Sequence, residues 1–191
     1  MFAIAAVSEN WGIGKDNQLL FHISADMKRF RQLTLGKTVL MGRKTLQSMP
    51  GGKGLPDRRN IVLTGNTAFT APDAEIVNTP VQAVFTAGED AAVIGGESVY
   101  RLFLPLCERV YITKVLADDE ADAFFPDLDA DPRWQVESES EVFEENGLRY
   151  QFVDYVPCEA ENDLADLLPD RGESLPFVPM PGFTEMSGIE I

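Results

Sequence analysis

Two glycine-containing segments of the chain combine residue types that suit a phosphate. Met41-Gly42-Arg43-Lys44-Thr45 places two cations and a hydroxyl after an apolar run, and Ile94-Gly95-Gly96-Glu97-Ser98-Val99-Tyr100 places paired glycines after another. Paired glycines allow a close approach of the backbone, and the N–H groups at the start of a helix attract an anion. Neither segment has the full G-x-G-x-x-G spacing, but two of them in one chain favour a dinucleotide over a mononucleotide.

A third segment, Gly12-Ile13-Gly14-Lys15-Asp16-Asn17, follows the first apolar run of the chain. Its glycines and its Asp-Asn pair predict a mobile loop at the C-terminal end of a strand, which is where open α/β sheets bind ligands. An ordinary connecting loop is the alternative interpretation, and the segment alone does not decide between the two.

Asp26 is the candidate for acid–base chemistry. It follows the apolar run Leu19-Leu20-Phe21 and falls in the first turn of a predicted helix. An acid at that position is commonly a solvated partner of the helix dipole. However, its neighbours are apolar, and a carboxylate in apolar surroundings has a raised pKa. These neighbours are Phe21, Ile23, Met27 and Phe30.

These segments lie between elements that the apolar pattern predicts. Six short apolar runs are typical of buried strands. They are Phe2–Val7, Thr38–Met41, Asn60–Leu63, Glu75–Val77, Ala91–Ile94 and Val110–Val115. Three helices are predicted between them. The first is capped by Ser24 and reaches about Leu35, and the second begins at Thr79-Pro80-Val81-Gln82 and reaches about Phe85. The third covers Glu97–Leu104 and ends before Pro105.

The last two strands are predicted to form a hairpin. Gln135–Phe143 and Leu148–Val156 flank the turn sequence Glu145-Asn146-Gly147. Strands that alternate with helices and then end in a hairpin predict an α/β fold over residues 1–156. We expect a single domain with a central mixed, mostly parallel β-sheet, flanked by helices and closed by the C-terminal hairpin.

Residues 157–191 have a different composition. They contain five prolines, eight acidic residues and one basic residue, and they show little periodicity. This composition predicts an irregular acidic tail that is disordered or loosely docked.

The bulk composition excludes several classes of function. The net charge of −15 argues against binding to nucleic acid or to an anionic membrane surface. The two cysteines have neither metal-ligand nor redox spacing, so we expect no metal site and no need for an oxidising compartment. No apolar run is long enough to span a bilayer, and the chain is expected to be cytoplasmic and monomeric.

The order of these motifs resembles the dihydrofolate reductase family over about residues 2–156. The resemblance is carried by Ile4-Ala5-Ala6-Val7, Gly12-Ile13-Gly14-Lys15, Ser24-Ala25-Asp26-Met27-Lys28-Arg29-Phe30, Val39-Leu40-Met41-Gly42-Arg43-Lys44-Thr45, Leu55-Pro56-Asp57-Arg58-Arg59-Asn60, Ile94-Gly95-Gly96 with Val99-Tyr100, Tyr111-Ile112-Thr113 and Phe125-Pro126. Any one of these pieces is common, but their order is specific. The resemblance implies reduction of dihydrofolate with NADPH as the cofactor, for one-carbon metabolism, and a protein of a kind that antifolates target.

The resemblance also implies roles for individual residues at the substrate. Asp26 would be the only ionisable side chain at the pterin ring, and Thr113 would hydrogen-bond its carboxylate. Arg58 would form a bidentate pair with the α-carboxylate of the substrate's glutamate. Phe30 would pack on the aminobenzoyl ring. The further substrate residues that it implies are Ile4, Ala5, Met27, Met49, Leu55 and Ile94.

The cofactor residues follow from the same resemblance. Ala6 would bind the nicotinamide carboxamide, Gly95 and Gly96 would pass under the pyrophosphate, and Thr64 would lie near the adenosine 2′-phosphate. Arg43, Lys44 and Thr45 would contact the phosphates. The remaining cofactor residues that it implies are Ile13, Gly42, Leu63, Ser98, Val99 and Tyr100. The loop over residues 12–20 would close over the nicotinamide.

Three positions depart from the family pattern. Phe21 stands where the family usually has Trp, and Ser24 stands where it often has Pro. After Leu63, the segment Thr64-Gly65-Asn66 lacks the cation often found near the 2′-phosphate, which bears on the choice between NADPH and NADH.

Three alternatives stay open from the sequence. A pyrimidine reductase of riboflavin synthesis would share the architecture and the use of NADPH, but it should lack both the acid at Asp26 and the Leu-Pro-x-Arg-x-Asn loop. A non-catalytic nucleotide-binding module with an acidic tail is the second alternative. The third is an enzyme that acts on a different or modified pterin, to which the change at Phe21 points.

Overall fold

The computed structural model describes residues 1–158, so the predicted acidic tail lies outside the described residues from position 159 onward. Twelve strands are present in the described part. They are β1 (Phe2–Val7), β2 (Gly12–Lys15), β3 (Gln18–Leu19), β4 (Thr38–Gly42), β5 (Arg59–Leu63), β6 (Glu75–Val77), β7 (Ala92–Gly95), β8 (Arg109–Val115), β9 (Ala123–Phe124), β10 (Trp134–Glu139), β11 (Phe143–Glu145) and β12 (Leu148–Pro157). Four α-helices accompany them: α1 (Ser24–Thr34), α2 (Arg43–Ser48), α3 (Pro80–Ala87) and α4 (Glu97–Phe103).

A nine-stranded sheet forms the centre of the fold. Its order is β10-β12-β8-β1-β7-β4-β5-β6, and β11 pairs with β12. The strands from β8 to β6 pair in parallel, whereas β12 pairs antiparallel with β8, β10 and β11. The mixed, mostly parallel sheet and its hairpin closure are therefore confirmed.

The central strands bury both faces because successive side chains point to opposite sides. Ala3, Leu40 and Val93 pack into a cluster with α3 and α4 on one face. Ile4, Met41 and other alternate residues of the same strands pack on the opposite face against α1 and α2. Burial on both faces explains why these strands are continuous apolar runs in the sequence.

A second, three-stranded sheet was not predicted. β2 pairs antiparallel with β3 and with β9, so the segment predicted as a mobile loop over residues 12–17 contains regular structure. Asp16 and Asn17 form its turn with φ of 51° and 60°. Strands of two to four residues carry too few side chains for a period-two pattern to be visible in the sequence.

Two local predictions were wrong. Ser24 does not cap α1: it is the first helical residue, and Ile23 is the N-cap without a side-chain hydrogen bond. The predicted strand Gln135–Phe143 is interrupted between β10 and β11. At the interruption Ser140 accepts a hydrogen bond at its Oγ from the Phe152 N–H, in place of continuous strand pairing. The Asn146-Gly147 turn was predicted correctly, and both residues adopt positive φ.

Candidate active site

Asp26, in the first turn of α1, faces Thr113, which lies on β8 of the sheet. Thr113, only 2% exposed on β8, donates its hydroxyl to Asp26 Oδ1 at 2.6 Å. Burial raises the pKa of Asp26 above its ordinary value, and the Thr113 hydrogen bond and the charge of Arg29 act in the opposite direction. The site therefore contains a half-buried carboxyl group that keeps its proton to higher pH than a solvated aspartate.

The first turn of α1, which carries Asp26, is capped from elsewhere in the chain. Glu145 of β11 accepts hydrogen bonds from the backbone N–H groups of Ser24 at 2.8 Å and Ala25 at 3.4 Å. These bonds to Ser24 and Ala25 lower the pKa of the Glu145 carboxyl. A carboxylate at a helix N-terminus satisfies free N–H groups and interacts favourably with the helix dipole.

Most of the predicted substrate residues gather in one apolar cluster on the α1 side of the sheet. The predicted residues that share this cluster are Ile4, Phe30, Met49, Leu55 and Ile94. Met27, which was predicted to line the same pocket, is 47% exposed, and Ala5 packs toward the cluster on the other face of the sheet.

Tyr100 links this region to the paired glycines. Its hydroxyl donates to the Ile4 carbonyl at 2.8 Å, which uses one of the two lone pairs of that oxygen. Burial raises the pKa of Tyr100, so the hydroxyl stays protonated as a donor. A predicted carbonyl at the pterin, that of Ile4, is thus already oriented by a side chain of α4.

Arg58 is held in a fixed orientation by the end of α1 and by its own loop. Its Nε donates to Thr34 Oγ1 at 2.9 Å, and a terminal nitrogen donates to the Pro56 carbonyl at 2.6 Å. Burial and the nearby charge of Arg31 lower the pKa of Arg58, while Asp57 raises it. Two adjacent guanidinium groups that repel each other favour the binding of a carboxylate between or beside them.

Asn60 was not predicted as a site residue, but it holds the Arg58 loop. Its side-chain oxygen accepts from the Leu55 N–H at 2.8 Å, and its amide donates to the Leu55 and Arg58 carbonyls. A Cβ added at Gly54 would lie 2.7 Å from this amide, so the loop needs a glycine there. The buried amide therefore shapes the segment that presents Arg58.

The two glycine segments predicted to bind phosphates lie side by side. β4 and β7 are neighbours, and Met41 pairs with Gly95. A Cβ added at Gly95 would lie 3.3 Å from Thr45 Oγ1, and one at Gly42 would lie 3.2 Å from the Val99 side chain. The starts of α2 and α4 thus lie close together, and a Cβ added at either glycine would crowd a neighbouring side chain.

The remaining predicted cofactor residues surround this junction. Leu63 pairs with Gly42 across β4 and β5. Thr64 follows it and is buried, and its hydroxyl accepts from the Asn66 N–H at 3.2 Å. Arg43 is half-buried, whereas Lys44 and Ser98 are exposed. Ala6 pairs with Thr113 in the β1–β8 ladder.

The segment over residues 12–20 is held by the loop before β9. The Asp122 carboxylate accepts from the Asp16 N–H at 2.9 Å, and the Asp122 N–H donates to the Gly14 carbonyl at 3.0 Å. Ile13 packs against the core on the α4 side. Trp11 is buried in the core beside Phe125.

Phe21 and His22 occupy different environments. Phe21 is buried and packs with Ile23, Val115 and Tyr150. His22 is exposed. The departure from the family pattern at Phe21 is therefore accommodated by a core cluster beneath the start of α1.

An acid beside an apolar cluster, with two glycine segments at neighbouring ends of parallel strands, defines the class: an α/β enzyme that binds a dinucleotide at the carboxyl ends of its strands. The comparisons with known proteins agree with this class. The family model for dihydrofolate reductase matches residues 1–157. The dihydrofolate reductase of Staphylococcus haemolyticus is 38% identical over 156 residues, covering 80% of this chain and 92% of the relative.

A second relative and a solved structure give the same result. The dihydrofolate reductase of Neisseria gonorrhoeae is 40% identical over 155 residues, covering 80% of this chain and 95% of the relative. The structure of the Enterococcus faecalis enzyme, complexed with NADP(H) and RAB-propyl, superposes with a TM-score of 0.73 at 31% identity, covering 82% of this chain and 95% of the other. The chain belongs to the dihydrofolate reductase family. The reaction is the reduction of dihydrofolate to tetrahydrofolate with NADPH.

Proposed function

We propose that Asp26 is the catalytic residue that controls protonation of the substrate. The observation that carries the proposal is the half-buried carboxyl group that accepts the Thr113 hydroxyl at 2.6 Å. In the reaction C6 of the pterin gains a hydride and N5 must gain a proton. The raised pKa of Asp26 supports a role in which the group favours protonation of N5 electrostatically, with the proton delivered through water.

The substrate would bind against the apolar cluster on the α1 side of the sheet. Phe30 would pack on the aminobenzoyl ring, and Met49, Leu55 and Ile94 would complete the apolar wall. The fixed plane of Arg58 suits a bidentate pair with the glutamate α-carboxylate. Ile4 lies in the same cluster and belongs to the proposed substrate site, and the family resemblance adds Ala5 and Met27.

The residues at the β4–β7 junction fit NADPH. A Cβ at Gly95 would crowd the Thr45 hydroxyl at 3.3 Å, and one at Gly96 would touch it at 3.4 Å, so the lack of side chains at both positions keeps the space beside Thr45 open. When bound, the cofactor supplies the hydride. Arg43, Lys44 and Thr45 would hold its phosphates. The other proposed cofactor residues are Ala6, Ile13, Gly42, Leu63, Thr64, Ser98, Val99 and Tyr100.

The remaining expectations are proposals as well. Residues 1–156 would form the catalytic domain, and the acidic segment 157–191 receives no role in catalysis. The net charge of −15 supports a protein that avoids nucleic acid and anionic membranes, and a monomer in the cytoplasm is the state that we propose. Within residues 1–158 the structure has no helix of a length and apolarity that would cross a membrane.

The test is the loss of nicotinamide absorbance when the full chain is mixed with dihydrofolate and either NADPH or NADH. We expect oxidation that depends on dihydrofolate and is faster with NADPH. Asp26→Asn should reduce single-turnover hydride transfer by about 100-fold at neutral pH and less at acidic pH. The matched control is Asp90→Asn, which changes an exposed carboxylate before β7. Equal rates for wild type and Asp26→Asn across the pH range would contradict the role of Asp26.

A further inference from the structure

Arg29 lies one helical turn after Asp26 on α1, and its side chain is only 19% exposed. It forms an ion pair with Asp154 of β12, whose side chain is 17% exposed. A terminal nitrogen of Arg29 also approaches the Ile112 carbonyl at 3.5 Å. Each ion of this pair loses hydration that only close partners can replace.

Two aromatic rings complete the surroundings of the Arg29 guanidinium group. Its central carbon lies 4.6 Å from the centre of the Phe152 ring and 5.4 Å from that of Tyr111. A planar guanidinium group stacks on aromatic faces and forms directional pairs with carboxylates, which an ammonium group does less well. The contacts therefore fix both the position and the plane of the charge.

The partners of Arg29 are the strand neighbours of Thr113. In the β8–β12 ladder Thr113 pairs with Phe152, and Tyr111 pairs with Asp154. The side chain that bonds the Asp26 carboxylate and the groups that hold Arg29 are thus adjacent in one ladder. Arg29 joins α1 to the same stretch of sheet that carries Thr113.

We propose that Arg29, held by Asp154, is a positioning residue for Asp26: it fixes the first turns of α1 against β8 and β12 and sets the charge that the carboxylate experiences. This inference rests on the proposed role of Asp26. The charge of Arg29 lowers the pKa of Asp26, against the effect of burial. Asp154 compensates part of that charge, so the balance of the pair determines how strongly the carboxyl group holds its proton.

Several other polar groups lie around the first turns of α1. Burial raises the pKa of Tyr100 on α4 and of Tyr150 on β12, and bonds to α1 lower that of Glu145 on β11. The charge of Asp26 also raises the pKa of both tyrosines. The imidazole of His22 is exposed and lies four residues before Asp26. A His22→Gln background therefore removes the one histidine of the chain from the measurement.

The experiment measures single-turnover hydride transfer from NADPH to dihydrofolate against pH, in the full chain with His22→Gln. Asp154→Asn keeps the shape of the partner but leaves the Arg29 charge uncompensated, so the apparent pKa should fall by about half a unit. Arg29→Gln removes the cation, so the apparent pKa should rise by about the same amount. The double variant should lie between them, near the parent protein.

Arg29→Lys separates charge from packing. It keeps the cation but loses the planar contacts with Asp154 and the two rings, so its apparent pKa should stay close to that of the parent while its Tm falls. Single variants that shift the profile in the same direction, or that lower the rate equally at every pH, would overturn the inference and indicate a merely structural pair. The same background with Asp26→Asn identifies the titrating group. If the Asp26→Asn variant keeps the pH profile of the parent protein, Asp26 is not the titrating group and its proposed role is contradicted. If the variant loses that profile, Asp26 is the titrating group, and the shifts measured for the Arg29 and Asp154 variants then test only the positioning role of Arg29.

Discussion

Thr113 and Asp26 are joined by a 2.6 Å hydrogen bond between a strand in the centre of the sheet and the first turn of a helix. The bond favours the ionised carboxylate, whereas burial favours the protonated form. The two effects leave the pKa of Asp26 raised, so the burial effect is the larger one. A carboxyl group poised in this way can respond to the charge that develops on a bound substrate.

Thr113→Val tests this balance. Loss of the hydroxyl removes the bond that favours the ionised form, so the pKa of Asp26 should rise further and the pH profile of hydride transfer should move to higher pH. The carboxylate also loses its orientation, and we expect the rate at high pH to fall about tenfold, the effect of losing a hydrogen bond to a charged group. Thr70→Val is the control, because Thr70 is exposed outside the site. A profile that moves to lower pH would contradict the assignment.

Asp26→Asn should have opposite effects on activity and stability. Because the pKa of Asp26 in the folded state lies above its unfolded value, the folded protein holds the proton more tightly, and the free energy of unfolding falls as the pH rises through the two pKa values. At neutral pH the wild type carries this penalty and the asparagine variant does not. Asparagine also retains an oxygen to accept the Thr113 hydroxyl. We therefore expect the variant to be more stable than the wild type at neutral pH.

Urea unfolding of both proteins at neutral pH and at about pH 4 provides the measurement. The stability advantage of the variant should shrink at the lower pH, where the carboxyl group of the wild type is increasingly protonated. A variant that is less stable than the wild type at neutral pH would show that the ionised carboxylate is satisfied in the folded protein, contrary to the raised pKa.

The central strands were predictable because a short apolar run in the sequence is enough to indicate their burial. Val39-Leu40-Met41 and Ala92-Val93-Ile94 are buried on both faces, and a parallel strand between two layers of helices needs such a run. The capped start of α3 was equally local, since the Thr79 hydroxyl accepts from the Gln82 N–H at 3.2 Å. In both cases the residues that decide the structure lie within a few positions of each other.

The contacts that hold α1 in place could not be predicted in this way. Glu145 caps α1 from a position 121 residues after Ser24, and Asp154 pairs with Arg29 across 125 residues. Charged residues at such separations carry no signal of their partner in a single sequence. The resemblance to a known family did not supply them either, because it implies roles only for residues that would contact the ligands and not for those that pack behind them.

Gly95→Ala should weaken the binding of NADPH. Gly95 has φ of +132°, which side-chain-bearing residues rarely adopt, and an added Cβ would lie 3.3 Å from Thr45 Oγ1 and 3.5 Å from the Tyr100 hydroxyl. Strain at this point displaces the junction of the two glycine segments, and we expect the Kd for NADPH to rise about tenfold or more, a change of about 1.4 kcal/mol. Fluorescence titration with NADPH gives this Kd directly.

Gly36→Ala is the matched control for backbone strain. Gly36 also has positive φ, at +73°, but no atom lies within 4 Å of an added Cβ. The variant should lose about 1 kcal/mol of stability while it binds NADPH like the wild type. If both variants weakened NADPH equally, the effect would come from a general loss of stability and not from the contact with Thr45.

Arg58→Lys should raise the KM for dihydrofolate, because an ammonium group cannot form the bidentate pair for which the guanidinium plane is fixed by Thr34 and Pro56. We expect an increase of about tenfold with little change in kcat, since the glutamate carboxylate is remote from the reacting ring. Arg59→Lys is the neighbouring control: its guanidinium group faces Glu75, at 2.6 and 2.8 Å, on the exposed edge of the sheet. A substrate without the glutamate moiety distinguishes binding of the carboxylate by Arg58 from a role of Arg58 in the fold of its loop. Arg58→Lys should handle that substrate like the wild type, whereas a defect that persisted with it would mean that Arg58 supports the fold of its loop and does not bind the carboxylate.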